Sequence, residues 1–313
     1  MAALGSRISC PGPHVCNQRC STGLSLLPSR TRPNRRWQRA RAPQITRAQD
    51  DSSPSDAEVV PLTTFPASRA SAPGSRWEGL TAVVAGATGG TGRALVSRLL
   101  AEGVPTTALV RNPADAASRL PRMQSNLRVV KGDVYQLATL PPAVEGSNVM
   151  IIATGTRPAL DPLGPFSVDY QGTLNLVAVA KQKGIKHIVL VSSIGVDDLF
   201  FPLNLFFGVL FFKKRAEEEL QRSGITYTIV RPGGLQDTLR EGQTRPGGIV
   251  MRGPDAFGLP PRATPGGILR SQVADVCVEA LVEPAARDKV VEVIANSETP
   301  LLPMSQLFQG VVI

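Results

Sequence analysis

The chain has 313 residues, 42% of them hydrophobic and 5% aromatic, and its 34 Lys and Arg outnumber 25 Asp and Glu to give a net charge of +9. That excess sits in residues 1–49, which hold nine Arg and no Lys, Asp or Glu, so the remainder balances 25 basic against 25 acidic residues. A neutral body excludes nucleic-acid binding driven by overall charge, and its length fits one α/β domain with a sizeable core.

The first 49 residues are rich in Ser, Thr, Pro, Arg and Ala, lack the long apolar core of a secretory signal, and stop where acidic residues begin at Asp50. This composition predicts an organelle transit peptide. Its prolines break any continuous amphipathic helix, which favours a chloroplast over a mitochondrial address, and a nucleic-acid arm around RPNRRWQRAR ranks third. Cys10, Cys16 and Cys20 have only His14 beside them, so no metal site is expected. Residues 50–78, rich in Ser, Pro and Ala without a sustained period, predict a flexible linker, and the fold is expected to occupy 79–313.

The fold opens on TAVVAGATGGTGR, Thr81 to Arg93, where a short apolar strand meets a helix start through a glycine-spaced turn. Gly86 permits the tight bend, Gly89 removes a side chain where phosphates must approach, and Gly92 allows close packing of helix on strand. Thr88, Gly90 and Thr91 complete a turn whose backbone N–H groups and helix dipole suit a diphosphate. Apolar runs bounded by turns fall at 81–86, 105–110, 127–131, 148–153, 187–193, 226–231 and 289–295, with helical patterns between most of them. This is the pattern of a doubly wound parallel α/β sheet, in which ligands lie beyond the carboxyl ends of the strands.

The second strand ends in LVRNPADA, placing Arg111 where an NAD-selective site carries a carboxylate. A guanidinium there pairs with a 2′-phosphate, and Arg93 just past the last glycine adds a second cation, so NADP(H) is expected over NAD(H). The competing reading of Arg111 is a solvated loop residue.

The GxxGxxG spacing, the segment VDYQGTLNLVAVAKQKGIKHIVLVSSIG (168–195) and the segment KKRAEEELQRSGITYTIVRPGG (213–234) together resemble the extended and atypical short-chain dehydrogenase/reductases. The similarity covers most of residues 79–300 and is nearest to plastid members of the atypical, NmrA-like group, related to flavin reductase and biliverdin reductase-like proteins. The resemblance implies a Rossmann-type sheet with a small C-terminal substrate-side region. It also implies an adenine-edge contact at Asp133 and Val134, and close backbone approach to the adenosine ribose at Ala153, Thr154 and Gly155. It offers Ser192 or Ser193 as the serine after the fifth strand, and Lys213 as the lysine that binds ribose and tunes a tyrosine. That tyrosine is missing: Val209 stands four residues before Lys213, and Tyr135, Tyr170 and Tyr227 all lie elsewhere. Lys213 also reads as one member of a solvated KKR run.

Leu199 to Phe212, LFFPLNLFFGVLFF, carries six of the ten Phe and is too short and too interrupted to span a membrane. Three readings stay open: a lipophilic lid over the substrate, a peripheral contact of 199–215 with a membrane or partner, and core packing. Residues 240–270, dense in Gly and Pro, read as a substrate-side loop with one short strand, while His187 and Cys277 read as structural. Two functions are compatible with these residues. One is reduction of a hydrophobic or conjugated acceptor, such as a flavin, quinone or tetrapyrrole, by NADP(H) in the plastid. The other is a non-catalytic NADP(H)-binding protein that docks at thylakoid or plastoglobule surfaces. Neither oligomeric state nor a metal is indicated.

Overall fold

In the computed structural model, residues 74–121, 125–156, 161–205, 207–239 and 244–311 are described. The expected transit peptide, its Cys10, His14, Cys16 and Cys20, and linker residues 50–73 lie outside the described residues. Strand β1 (Ala82–Ala85) is wholly buried, and helix α1 (Gly90–Ala101) returns over it with Leu95 and Leu99 facing inward. The same alternation continues through β2 (Thr106–Val110), α2 (Pro113–Arg119), β3 (Leu127–Lys131), α3 (Pro141–Val144) and β4 (Val149–Ile152). A π-helical turn, Pro165–Gln171, runs directly into α4 (Gly172–Lys183), followed by β5 (His187–Val191), α5 (Val209–Arg222) and β6 (Thr226–Pro232). Beyond these lie β7 (Gly234–Gln236), β8 (Gly248–Arg252), β9 (Gly267–Leu269), α6 (Arg270–Ala280), β10 (Lys289–Asn296) and α7 (Met304–Gln309).

The main sheet has the order β3-β2-β1-β4-β5-β6-β10-β8, parallel throughout except where β8 runs against β10. The order reverses between β1 and β4, which creates a crevice at their carboxyl ends. Strands buried on both faces read as continuous apolar runs, which is why all seven predicted runs became strands. One apolar cluster packs α1, α6 and α7 against the sheet, with Leu99, Val276 and Phe308 fully enclosed, and the other packs α3, α4 and α5, with Leu176 and Leu220. Cys277 is completely buried in α6, and burial pushes its thiol far above the ordinary range.

Residues 244–270 hold more strand than expected: β8 extends the main sheet, and β9 pairs with β7 in a separate two-stranded ladder. These strands are three to five residues long and flanked by glycine, so their pairing comes from distant partners and leaves little local pattern.

His187 begins β5, is buried, and lies 3.0 Å from Thr228 Oγ1 on β6. Burial, reinforced by Arg287 and opposed by Asp288 and a backbone bond to Leu281, lowers its pKa to about 4. The unfolded chain, with an ordinary histidine near pH 6.5, therefore takes up this proton first as pH falls. The stability from a neutral His187 is complete above about pH 6.5 and is lost as pH drops toward about 4, an expected loss of about 2 kcal/mol between pH 7 and 5. Urea unfolding at both pH values measures it, and His187→Gln should flatten the dependence; an unchanged slope would assign the titration to another group.

Candidate functional site

The crest of the sheet is shaped by glycine. Gly86 has φ of 81°, and a Cβ there would lie 2.6 Å from the Ala153 carbonyl oxygen at the end of β4. A Cβ on Gly92 would lie 2.1 Å from the Gly86 carbonyl oxygen, so α1 can start this close to β1 only without a side chain. The turn is closed by Gly89 N–H donating to the Gly86 carbonyl at 3.0 Å and by Arg93 N–H donating to the Gly89 carbonyl at 2.9 Å. No acidic residue occupies the first turn of α1, leaving its positive end available to an anion. The turn, with Thr88, Gly90 and Thr91, is thus a tight bend that a side chain at 86 or 92 would force open, and its free N–H groups and helix end fit a nucleotide diphosphate.

Arg111, directly after β2, and Arg93 are both exposed, and neither forms an ion pair with another described residue. Asp133 is held at the end of β3: its Oδ1 accepts from Tyr135 N–H at 3.0 Å, and its own N–H donates to Thr139 Oγ1 at 2.9 Å. Val134 is buried, and its carbonyl accepts from Asn175 Nδ2 at 2.9 Å. Ala153 N–H continues the β1–β4 ladder to the Ala85 carbonyl, and Thr154 then turns into a small recess.

That shallow recess is lined by Thr154, Asp169, Thr173, Ser192, Lys213 and Ala216, among others. Lys213 Nζ meets Asp169 Oδ1 at 2.7 Å, while Asp169 Oδ2 accepts from Thr156 Oγ1 at 2.7 Å, and the Asp169 side chain is 0% exposed. A Cβ on Gly155 would sit 3.8 Å from Asp169 Oδ1 and 4.0 Å from Lys213 Nζ, so the β4 end touches both the glycine cradle and this ion pair. The solvated-run reading of Lys213 is overturned. In the KKR run Lys213 pairs with Asp169, Lys214 with Asp197 and Arg215 with Glu218.

The two serines separate. Ser192 lines the recess, with its hydroxyl donating to the buried Glu217 of α5, whereas Ser193 Oγ turns along its own chain to the Ile194 carbonyl at 3.0 Å. Val209 packs with Val196 and Leu210 in a small apolar cluster, so no phenol stands beside Lys213 at the expected position. Behind the recess lies an ionic core. Arg231 on β6 is paired with Glu217 at 2.7 Å, with Glu292 at 3.4 Å and with Asp197, and Arg231 and Glu292 are direct partners in the β6–β10 register. Burial opposes the Arg231 charge, but the three carboxylates outweigh it and raise its pKa further. Burial pushes the Glu292 carboxyl up despite bonds from Phe257 and Asp255 N–H and the Arg231 charge.

An aromatic wall adjoins Lys213. Phe212 packs against Phe166, Tyr170 and Phe211 with ring centroids 5.7, 6.3 and 5.4 Å away. Phe201 packs against the cluster of Val196, Val209 and Leu210, but Phe200 and Leu205 are each 86% exposed, and Leu199 and Phe207 are also exposed. Plain core packing is therefore not their role. Neighbouring cations are already paired, Lys214 with Asp197, Arg215 with Glu218 and Arg262 with Asp198, so an anionic lipid surface would compete with those carboxylates. Sequence reasoning missed Asp169, Thr156, Glu217 and Glu292. The one available signal was an acidic residue within an otherwise apolar helical stripe.

The NAD(P)H-binding family matches residues 86–284, which covers both the glycine cradle and the recess. The chain belongs to the NAD(P)H-binding family. Within it, the chain is 38% identical to the uncharacterized chloroplastic protein At2g34460 of Arabidopsis thaliana, across 73% of this chain and 81% of that one. It is 32% identical to chloroplastic protein TIC 62 of the same plant, across 73% of this chain but only 38% of TIC 62. It is 29% identical to sanguinarine reductase of Eschscholzia californica, across 70% of this chain and 90% of that enzyme. Among solved structures it is similar to a Bacillus halodurans protein named as an NAD-dependent epimerase/dehydratase, with a TM-score of 0.62, 26% identity and coverage of 74% of this chain and 99% of that one. The doubly wound Rossmann architecture and the short-chain dehydrogenase/reductase resemblance are both borne out.

Proposed function

We propose that this NAD(P)H-binding chain is a chloroplast reductase that uses NADP(H) to reduce a hydrophobic, conjugated acceptor of the flavin, quinone or tetrapyrrole type. The carrying observation is the Lys213–Asp169 pair in a recess that shares the β4 end with the glycine cradle, with Tyr170 and Phe212, the chain neighbours of that pair, in ring contact with each other and with Phe166. Bound cofactor supplies a hydride. Gly86, Gly89 and Gly92 hold the diphosphate, and Asp133 and Val134 border the adenine. Arg111, exposed and unpaired among the described residues, takes the 2′-phosphate, with Arg93 as a second cation.

Lys213, positioned by its ion pair with the enclosed Asp169, donates hydrogen bonds to the ribose or the acceptor, with Ser192 fixed beside it through Glu217. Because Val209 replaces the phenol, the acceptor takes its proton from water, which suits acceptors whose reduced form is a stabilised anion. The aromatic wall excludes water from one side of the acceptor and orients its planar face. The chloroplast address rests on the composition of residues 1–49 and on relatives named as chloroplastic. A relative named for reducing sanguinarine supports reduction as the reaction.

The full chain titrated with NADPH and NADH should prefer NADPH, and Arg111→Ala should erase about tenfold of that preference while sparing NADH, as expected for one charge-assisted contact. NADPH should then be oxidised in the presence of flavin, quinone or biliverdin. Equal affinities unaffected by the substitution remove the NADP(H) assignment, and no oxidation with any of the three removes the acceptor class.

A further inference from the structure

We propose that Arg270 is a diphosphate-binding residue that closes onto the glycine turn from α6, exchanging its carboxylate partner Asp237 for the ligand. The inference rests on the cofactor reading above and adds a contact that lies 180 residues along the chain from Gly90, outside the glycine motif.

Arg270 is the first residue of α6. A Cβ built on Gly90, the first residue of α1, would lie 2.7 Å from Arg270 Nε and 2.8 Å from its Cδ, so the stem of the guanidinium rests directly on the turn. The small ladder explains its arrival. Gly233 passes so close to β9 that a Cβ there would lie 2.2 Å from the Gly266 carbonyl oxygen, which seats β7 against β9. Gln236 is then the register partner of Leu269, and the next residue on each strand, Asp237 and Arg270, leaves the ladder side by side. Arg270 Nη1 meets Asp237 Oδ2 at 2.9 Å. Farther along, Arg98 of α1 pairs with Asp275 at 2.9 Å and Glu279 at 3.4 Å on α6, which holds the two helices in step.

Electrostatics identifies what this arrangement awaits. Helices α1 and α6 present their positive ends at the same place, and neither has an acidic residue in its first turn. A guanidinium added to two positive helix ends is disfavoured unless an anion joins them. Asp237 is a weak compensator: its side chain is 70% exposed against 26% for Arg270, and ion pairs that open to water contribute little. A diphosphate offers oxygens that match the guanidinium fork and reach both helix ends at once.

Binding titrations on the full chain test this with two ligands: NADPH, and 2′-AMP, which has the adenosine 2′-phosphate but no diphosphate. Arg270→Ala should weaken NADPH about 10- to 100-fold and leave 2′-AMP unchanged, the range for losing a charge-assisted bond. Arg270→Lys should recover part of the loss, and Asp237→Asn, which frees the guanidinium, should tighten NADPH a few-fold. If Arg270→Ala binds NADPH as the unsubstituted chain does, the inference falls and the cofactor reading stands. If it loses NADPH and 2′-AMP together, Arg270 is structural and the inference also falls. Absence of binding by the unsubstituted chain to NADPH and NADH alike removes both.

Discussion

Arg231→Met is expected to lower the unfolding free energy by about 3–5 kcal/mol, the largest stability effect of any single side-chain change here. Arg231, Glu217 and Glu292 are all essentially enclosed, and the guanidinium is the shared partner of both carboxylates as well as of Asp197. Removing it leaves like charges facing one another in a medium that solvates them poorly. The pH dependence separates this from simple loss of packing. In the variant the stranded carboxylates hold protons more tightly when folded than when unfolded, so its deficit should shrink as pH falls from 7 toward 5. Chemical unfolding of the single variant and of Arg231→Met with Glu217→Gln gives the coupling. A deficit under about 1 kcal/mol, or no relief from the second change, would show that water reaches this core freely.

Gly92→Ala is expected to weaken NADPH binding at least about 100-fold and to destabilise the fold by about 1–3 kcal/mol. The new methyl would sit 2.1 Å from the Gly86 carbonyl oxygen, a backbone atom that cannot move unless the turn opens. Alanine is otherwise the better helix former by about 1 kcal/mol, so any loss measures the collision against that gain. Gly90→Ala is the matched control for stability alone, because its methyl displaces the Arg270 side chain proposed to grip the diphosphate. The atoms nearest that methyl belong to this flexible side chain, so the turn survives and stability changes by less than about 1 kcal/mol. Wild-type affinity in Gly92→Ala would mean that the diphosphate lies elsewhere.

Much of the architecture was legible because strands enclosed on both faces write unbroken apolar runs, and because β1, the glycine turn and α1 follow one another within twenty residues. The partners of the recess were not legible for the opposite reason. Asp169 and Lys213 are 44 residues apart on separate helices, and nothing local to either names the other as its partner. Glu217 sits in the run AEEEL, where helical spacing alone does not reveal that it is the enclosed carboxylate, while Glu218 and Glu219 pair with surface arginines. The phenylalanine segment was conspicuous, but its division into an inner ring at Phe212 and outward side chains at Phe200 and Leu205 depends on how α5 meets the π-helical turn.

The enclosure of Cys277 has a consequence for control. With its sulfur sealed inside α6 and its proton held far more tightly than in a free thiol, almost none of it is the thiolate that attacks disulfides or peroxides. Among the described residues, then, the one cysteine is closed to disulfide exchange and peroxide chemistry.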